Sequence, residues 1–234
     1  MIGLGVAAAP ATAIGRDGRE AQCNIFPNQM STENHCFLTT GPSQASASLS
    51  VSPDVMLHAA ASGPNTESQA FVGYDFNILG GMAGDIVDIA VTARLRTSLT
   101  GDGSSFAQLF YENSDTNGSI TVCDSTNPLA TACVDNHSYD GTFHYSGTVG
   151  DLQHLQQVAT ASGGTIGTGA ASVDPFIAVT GISDPAASYR VQTIGGIGNA
   201  PPGSVPEPAT WALLLGGFGL VGRSMRRRAC AVAA

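Results

Sequence analysis

Lysine is absent from this chain: all nine basic residues are arginine, and only 12% of the residues are charged. Four of the arginines, Arg223, Arg226, Arg227 and Arg228, crowd near the C-terminus, while the carboxylates spread along the chain. The part upstream of that cluster is therefore more acidic than the net charge of -9 for the whole suggests. Such a surface repels phosphates and offers no basic patch to release counterions, which excludes nucleic-acid binding. The single tryptophan, Trp211, lies near the C-terminus, so the central part of the chain has no Trp platform of the kind that stacks on sugar rings.

Catalytic and metal motifs are missing as well. No Gly-x-Ser-x-Gly occurs, and serines on alternating strands merely face solvent. His137, His144 and His154 form neither His-x-His nor His-Glu-x-x-His, so they read as solvent-facing strand or loop residues. Gly163-Gly164 and Gly195-Gly196 do not join a strand to a helix, which leaves phosphate cradling unsupported. The sequence thus implies no cofactor and no catalytic residue. Asp85, Asp88 and Asp102 could pair for glycoside hydrolysis, but spatial separation defines that chemistry, and surface solubility accounts for them equally.

What is present is alternation. Ala45, Ala47, Leu49 and Val51 share one face; so do Ala70, Val72, Tyr74, Phe76 and Ile78. Val87, Ile89, Val91, Ala93 and Leu95 repeat the period against outward Asp88, Thr92, Arg94 and Arg96. Further strands are expected at 105–112, 119–123, 142–149, 170–178 and 189–194, punctuated by turn signals at 100–103 and at Asn117-Gly118, a strong hairpin dipeptide. Residues 151–162 remain open between strand and helix, since Leu152, Leu155 and Ala159 suit either. About nine short alternating strands predict an all-β fold, an antiparallel β-sandwich.

Five cysteines occur, and four of them, Cys23, Cys36, Cys123 and Cys133, lie in this central part. An even number in an exported protein predicts two disulfides, and local pairing of Cys23 with Cys36 and Cys123 with Cys133 is the simplest of the three connectivities; buried free thiols are the alternative. One loop has calcium-ligand spacing: Asn113, Asp115 and Asn117 at positions one, three and five, Gly118 at six, Ile120 at eight and Asp124 at twelve. Its flanks read as strands, not helices, and a polar hairpin tip explains the same residues.

Both ends look like addresses. Residues 1–13 close on Ala11-Thr12-Ala13, the small-x-small pattern of signal-peptidase cleavage, and read as the back half of a signal peptide; a plain flexible N-terminus is the alternative. At the other end, 199–208 is a proline-rich extended linker. Next comes the apolar stretch 209–222, opened by Trp211, then a basic tail, 223–234. At 14 residues the stretch falls short of the ~20 expected for a span. Its position decides the reading, because a core helix is seldom placed between a proline spacer and four arginines. Trp211 suits the lipid headgroup level, and the arginines stay cytoplasmic by the positive-inside rule.

The run Val205-Pro206-Glu207-Pro208-Ala209-Thr210-Trp211-Ala212, followed by Gly-rich apolar residues and arginines, closely resembles the PEP-CTERM sorting signal of Gram-negative bacteria. The resemblance implies a sorting motif of Pro206, Glu207, Pro208 and Trp211, with Arg223, Arg226, Arg227 and Arg228 as the topology cluster. It implies as partner an exosortase, an integral-membrane cysteine transpeptidase that processes the tail, and transient anchoring in the inner membrane by a single C-terminal transmembrane helix. The tail departs from the pattern by continuing as Ala229-Cys230-Ala231-Val232-Ala233-Ala234. Similar tails also carry the label of an ice-binding protein C-terminal domain, which says nothing about ice, because the tail is an address. More weakly, 171–179 with Tyr189 and 195–199 resembles the closing strand pair of PEP-CTERM ectodomains of jelly-roll type, which implies a jelly-roll-like sandwich over 14–198 with 151–162 as strand.

Together these readings predict a non-enzymatic surface or extracellular-matrix protein, with exopolysaccharide as the partner expected of a matrix role. The second reading is a carbohydrate-binding or polysaccharide-acting β-sandwich. In that case Tyr74, Tyr111, Tyr139 or Tyr145 would have to supply the stacking platform.

Overall fold

The computed structural model describes residues 18–126 and 137–199. They form thirteen strands and no helix. In chain order these are β1 (Gly18–Ile25), β2 (Asn28–Thr32), β3 (His35–Thr40), β4 (Ser43–Ser50), β5 (Met56–Ser62), β6 (Thr66–Leu79) and β7 (Ile86–Thr100). They continue as β8 (Gly103–Glu112), β9 (Asn117–Ser125), β10 (Ser138–Thr148), β11 (Gln153–Gly163), β12 (Thr168–Gly181) and β13 (Arg190–Thr193).

All pairings are antiparallel, and the strands divide into two sheets. Sheet 1 runs β2-β1-β6-β11-β8-β9, with β13 also on β6; sheet 2 runs β10-β7-β12-β5-β4-β3. Within this order lies a nested hairpin: β8 pairs β9, β7 pairs β10, β6 pairs β11 and β5 pairs β12. Successive nested pairs fall on alternate sheets, which is jelly-roll connectivity. Strands β1 to β4 extend both sheets on the same side.

The alternation dictates the core. The expected inward faces are buried but for one residue: Ala45, Ala47 and Leu49 on β4, every even residue from Ala70 to Ile78 on β6, and every odd residue from Val87 to Leu95 on β7 are buried, while Val51 lies past the end of β4 and is only half-buried. Asp88 and Thr92 are half-buried and Arg94 and Arg96 exposed, all on the opposite face of β7. Residues 151–162 fall almost wholly in β11, so the strand implied by the resemblance is the one present. β12 and β13 do not pair with each other: β12 is an inner strand of sheet 2, between β7 and β5, and β13 pairs β6 in sheet 1.

Two local expectations need correction. The hairpin between β8 and β9 does not turn at Asn117-Gly118. It turns at 113–116, where the Asn113 side-chain oxygen accepts from the amides of Asp115 and Thr116, and the Asn113 amide donates to the Thr116 carbonyl. Asn117 and Gly118 already lie in β9. Gly118 sits opposite Tyr111, whose ring lies across it: a Cβ there would come 2.3 Å from the Tyr111 hydroxyl. The glycine therefore serves ring packing between strands instead of the turn. Four strands in the first third, β1, β2, β3 and β5, also go beyond the sequence expectation.

Each lateral edge of the sandwich carries a closure. On one side Cys23 of β1, in sheet 1, bonds Cys36 of β3, in sheet 2, with both sulfurs in the core. On the other, Tyr111 of β8 stacks on Phe143 and Tyr145 of β10, with ring centroids 4.8 and 4.6 Å apart. Cys123 of β9, on that same side, is disulfide-bonded, and its expected partner Cys133 lies outside the described residues. Since the Cys23–Cys36 bond closes a loop over a sequence separation of 13, replacing both cysteines by alanine should lower unfolding free energy by about 3 kcal/mol. Urea denaturation of the oxidised protein and the double variant measures this, and equal midpoints would refute it.

Candidate functional site

The two ends of the sandwich differ. At the upper end lie the β6–β7, β8–β9 and β10–β11 connections, tied together by backbone bonds such as Gly84 N–H to Val149 C=O and by Asn113, which donates to the Ser146 carbonyl and Gln153. Residues 198 and 199 lie against the part of sheet 2 nearer this end. β5 covers one edge of β12 only as far as Val173. Farther along that edge the Asn199 side chain takes the place of a neighbouring strand, accepting from the Ile177 amide and donating to the Ile177 carbonyl, each at 2.8 Å. The Gly198 amide donates to the Val51 carbonyl beside it.

At the lower end the outer face of sheet 1 forms a cleft of about 480 Å³. Register builds its floor: Asn24 of β1 stands opposite Glu67 of β6, which stands opposite Ser162 of β11. Phe26, 77% exposed, stands on one side, next to the β5–β6 turn, its amide donating a hydrogen bond to the Asn65 carbonyl. Asn65 adopts a φ of 59°, a left-handed conformation that asparagine tolerates better than most residues. The other wall is the β11–β12 turn, pinned by Asp102 from the β7–β8 turn. Its two carboxylate oxygens accept from the Thr165 amide at 2.6 Å and the Ile166 amide at 2.8 Å. The turns fit so closely that a Cβ on Gly167 would lie 1.5 Å from the Asp102 carbonyl oxygen.

Electrostatics distinguish the two carboxylates of this cleft. Burial raises the Glu67 carboxyl above its ordinary value. The Ile166 amide, followed by that of Thr165, holds Asp102 below its own. Elsewhere, burial and then Asp54 raise Asp174, partly offset by Arg94. Burial drives the Tyr74 and Tyr145 hydroxyls far above the usual phenol range.

The carboxylates weighed for hydrolysis each have partners of their own. Asp85 accepts from the Met82 amide and the Tyr189 hydroxyl, Asp88 lies 2.7 Å from His144, and Asp102 is the turn pin. The calcium spacing is not gathered into one loop. Asn117 pairs with Glu112 and Asp124 with Ser105, which puts about 23 Å of strand between Asn117 and Asp124. Asp124 instead lies 3.3 Å from exposed His137. Among the described residues no three His, Cys, Asp or Glu side chains converge as a metal site.

Histidines split. His137 and His144 are exposed as expected, whereas His154 is buried at 2% exposure, 2.8 Å from Asp75 directly across from it on β6. An outward strand position misled the sequence reading, because this stretch of the outer face of sheet 1 is covered. The tyrosine platform also fails to form: Tyr74 and Tyr145 are buried, and Tyr111 and Tyr139 pack against the core. The exposed ring at a cleft is Phe26, which the sequence reading passed over.

The described part is thus an all-β sandwich of two antiparallel sheets with no helix long and apolar enough to cross a membrane among its described residues. The tail gives the more specific finding. Residues 204–228 match the family model of the PEP-CTERM protein-sorting motif, which includes Pro206, Glu207, Pro208, Trp211, Arg223, Arg226, Arg227 and Arg228. The chain therefore carries a sorting signal of the exosortase type. Those residues, the expected span 209–222 and the expected signal peptide 1–13 lie outside the described residues. No curated protein matches the chain.

Asp102 has a depressed carboxyl, so its stabilising effect is complete above the unfolded value of 3.8 and is lost as pH falls below that through the lowered folded value. Asp102→Asn should accordingly destabilise the protein at neutral pH and leave a smaller gap from wild type at about pH 3. Urea midpoints across that range check this, and a gap that widens in acid would contradict the assignment.

Proposed function

We propose that this protein is exported, held in the inner membrane by 209–222, processed at its tail by an exosortase and delivered to the cell surface or extracellular matrix, where the sandwich acts without catalysis. The observation that carries the reading is the sorting motif at 204–228. Its parts follow in working order: an extended Pro-rich linker to reach the enzyme, Trp211 for the interface, a short apolar segment, and arginines that oppose translocation. The bonded cysteines of the sandwich suit an oxidising compartment. A non-catalytic sandwich is supported by the engagement of Asp85, Asp88 and Asp102 in separate structural contacts. A matrix role with exopolysaccharide as partner accords with an acidic, lysine-free exterior that resists nonspecific adhesion to nucleic acid.

The test uses cells that contain an exosortase. Glu207→Ala with Trp211→Ala should leave the protein at its unprocessed size in the membrane fraction, whereas wild type should become shorter and leave that fraction. Immunoblots of fractionated cells read both. Unchanged processing of the double variant would sink the proposal.

A further inference from the structure

The lower-end cleft has the chemistry of a binding site that the sorting function does not use. Its floor comes from three adjacent strands, so Asn24, Glu67 and Ser162 are fixed in a row by register instead of lying on a loose loop. Its walls are turns held by hydrogen bonds: Asp102 on Thr165 and Ile166, and Phe26 on Asn65. A largely pre-formed concavity with a few convergent polar groups and one apolar face is the general pattern of a small-ligand site.

The lining also limits the ligand. No basic residue lines the cleft, while Glu67 and Asp102 do, so phosphates, uronic acids and other anions are repelled. Carboxamides at Asn24 and Asn65 donate and accept, and Glu67 accepts, a set that matches vicinal hydroxyls. Phe26 offers an exposed ring face beside them, suited to the C–H face of a sugar. Both oxygens of Asp102 are occupied by turn amides, which leaves the cleft without the second free carboxylate that hydrolysis by paired acids requires.

We propose that this cleft binds a neutral, hydroxyl-rich saccharide chain, with Phe26 stacking on a sugar ring and Asn24, Asn65 and Glu67 holding its hydroxyls. Its position suits a polymer outside the cell. From Thr168, beside the cleft, to Ile177, where Asn199 binds, the chain runs about 30 Å along β12. Asn199 is thus remote from the cleft along the sandwich.

Affinity electrophoresis of the full chain, in a polyoxyethylene detergent that carries no sugar headgroup, tests this with gels containing dextran, galactomannan or hydroxyethylcellulose. Polygalacturonate is the anionic comparison. At least one neutral polymer should retard wild type and polygalacturonate should not. Phe26→Ala should weaken retardation about tenfold or more, and Glu67→Gln several-fold. Met82→Ser, on the exposed β6–β7 loop at the other end, should change nothing. Unaltered urea midpoints separate lost binding from lost folding. Absence of retardation by all three neutral polymers, or retardation that survives both cleft variants, overturns the proposal. Neither outcome depends on Glu207 or Trp211, so failure here is distinct from failure of the sorting reading.

Discussion

The pairing of β12 with β7 is the constraint on which the rest of the sandwich depends. β12 is paired along its whole length, Thr168 opposite Thr100 through to Gly181 opposite Val87. On its other side it takes β5, which carries β4, which carries β3. Three strands of sheet 2 are therefore attached to β7 only through a strand that arrives late in the chain. Until it does, the inward row of Val87, Ile89, Val91, Ala93 and Leu95 has a neighbour strand on one side alone. Contacts of this separation cost loop-closure entropy before they return any burial, so jelly-roll assembly is slow by nature.

The same constraint explains where the crosslinks are needed. Much of the inward surface is alanine, including Ala45, Ala47, Ala59, Ala61, Ala159 and Ala161. Each such side chain buries little apolar area, and the hydrophobic gain per residue falls in proportion. Length of pairing compensates in the middle of the sheets, but edge strands have one partner each. Cys23–Cys36 joins the sheets beside one edge, where β2 is mostly exposed and polar. The Tyr111, Phe143 and Tyr145 stack joins the sheets near the other edge with aromatic area, on the side where Cys123 is also disulfide-bonded.

Legibility in the sequence followed the contrast between neighbouring residues. β6 and β7 alternate large apolar side chains with polar ones and could be read face by face. β5, with its run Ala59-Ala60-Ala61, has almost no such contrast, and β1 alternates small inward residues, Ala21 and Cys23, with Glu20, Gln22 and Asn24, its one large inward residue, Ile25, coming at its very end. Both were missed for that reason. Asn117-Gly118 was misplaced because the dipeptide's turn preference is a local signal, whereas the ring of Tyr111 across the sheet is not visible locally. The buried Asp75 and His154 pair and the cleft share that property. Asn24, Glu67 and Ser162 are remote in sequence and become neighbours only through register, so no motif announces them. The sorting tail is the opposite case: its information is linear, and it was legible without any fold.

A linear signal and a folded domain on one chain must be joined so that neither disturbs the other, and the geometry at Asn199 shows how the fold's side of that joint is made. β12 outruns β5 and leaves backbone groups on its edge without a strand to pair them. An exposed edge of that kind is a template for unwanted pairing with other chains. Asn199 caps it with one side chain that both donates and accepts at Ile177, so a single residue covers what a further strand would otherwise pair. Prolines at 201 and 202 follow at once, and they cannot donate the amide that would extend the pairing.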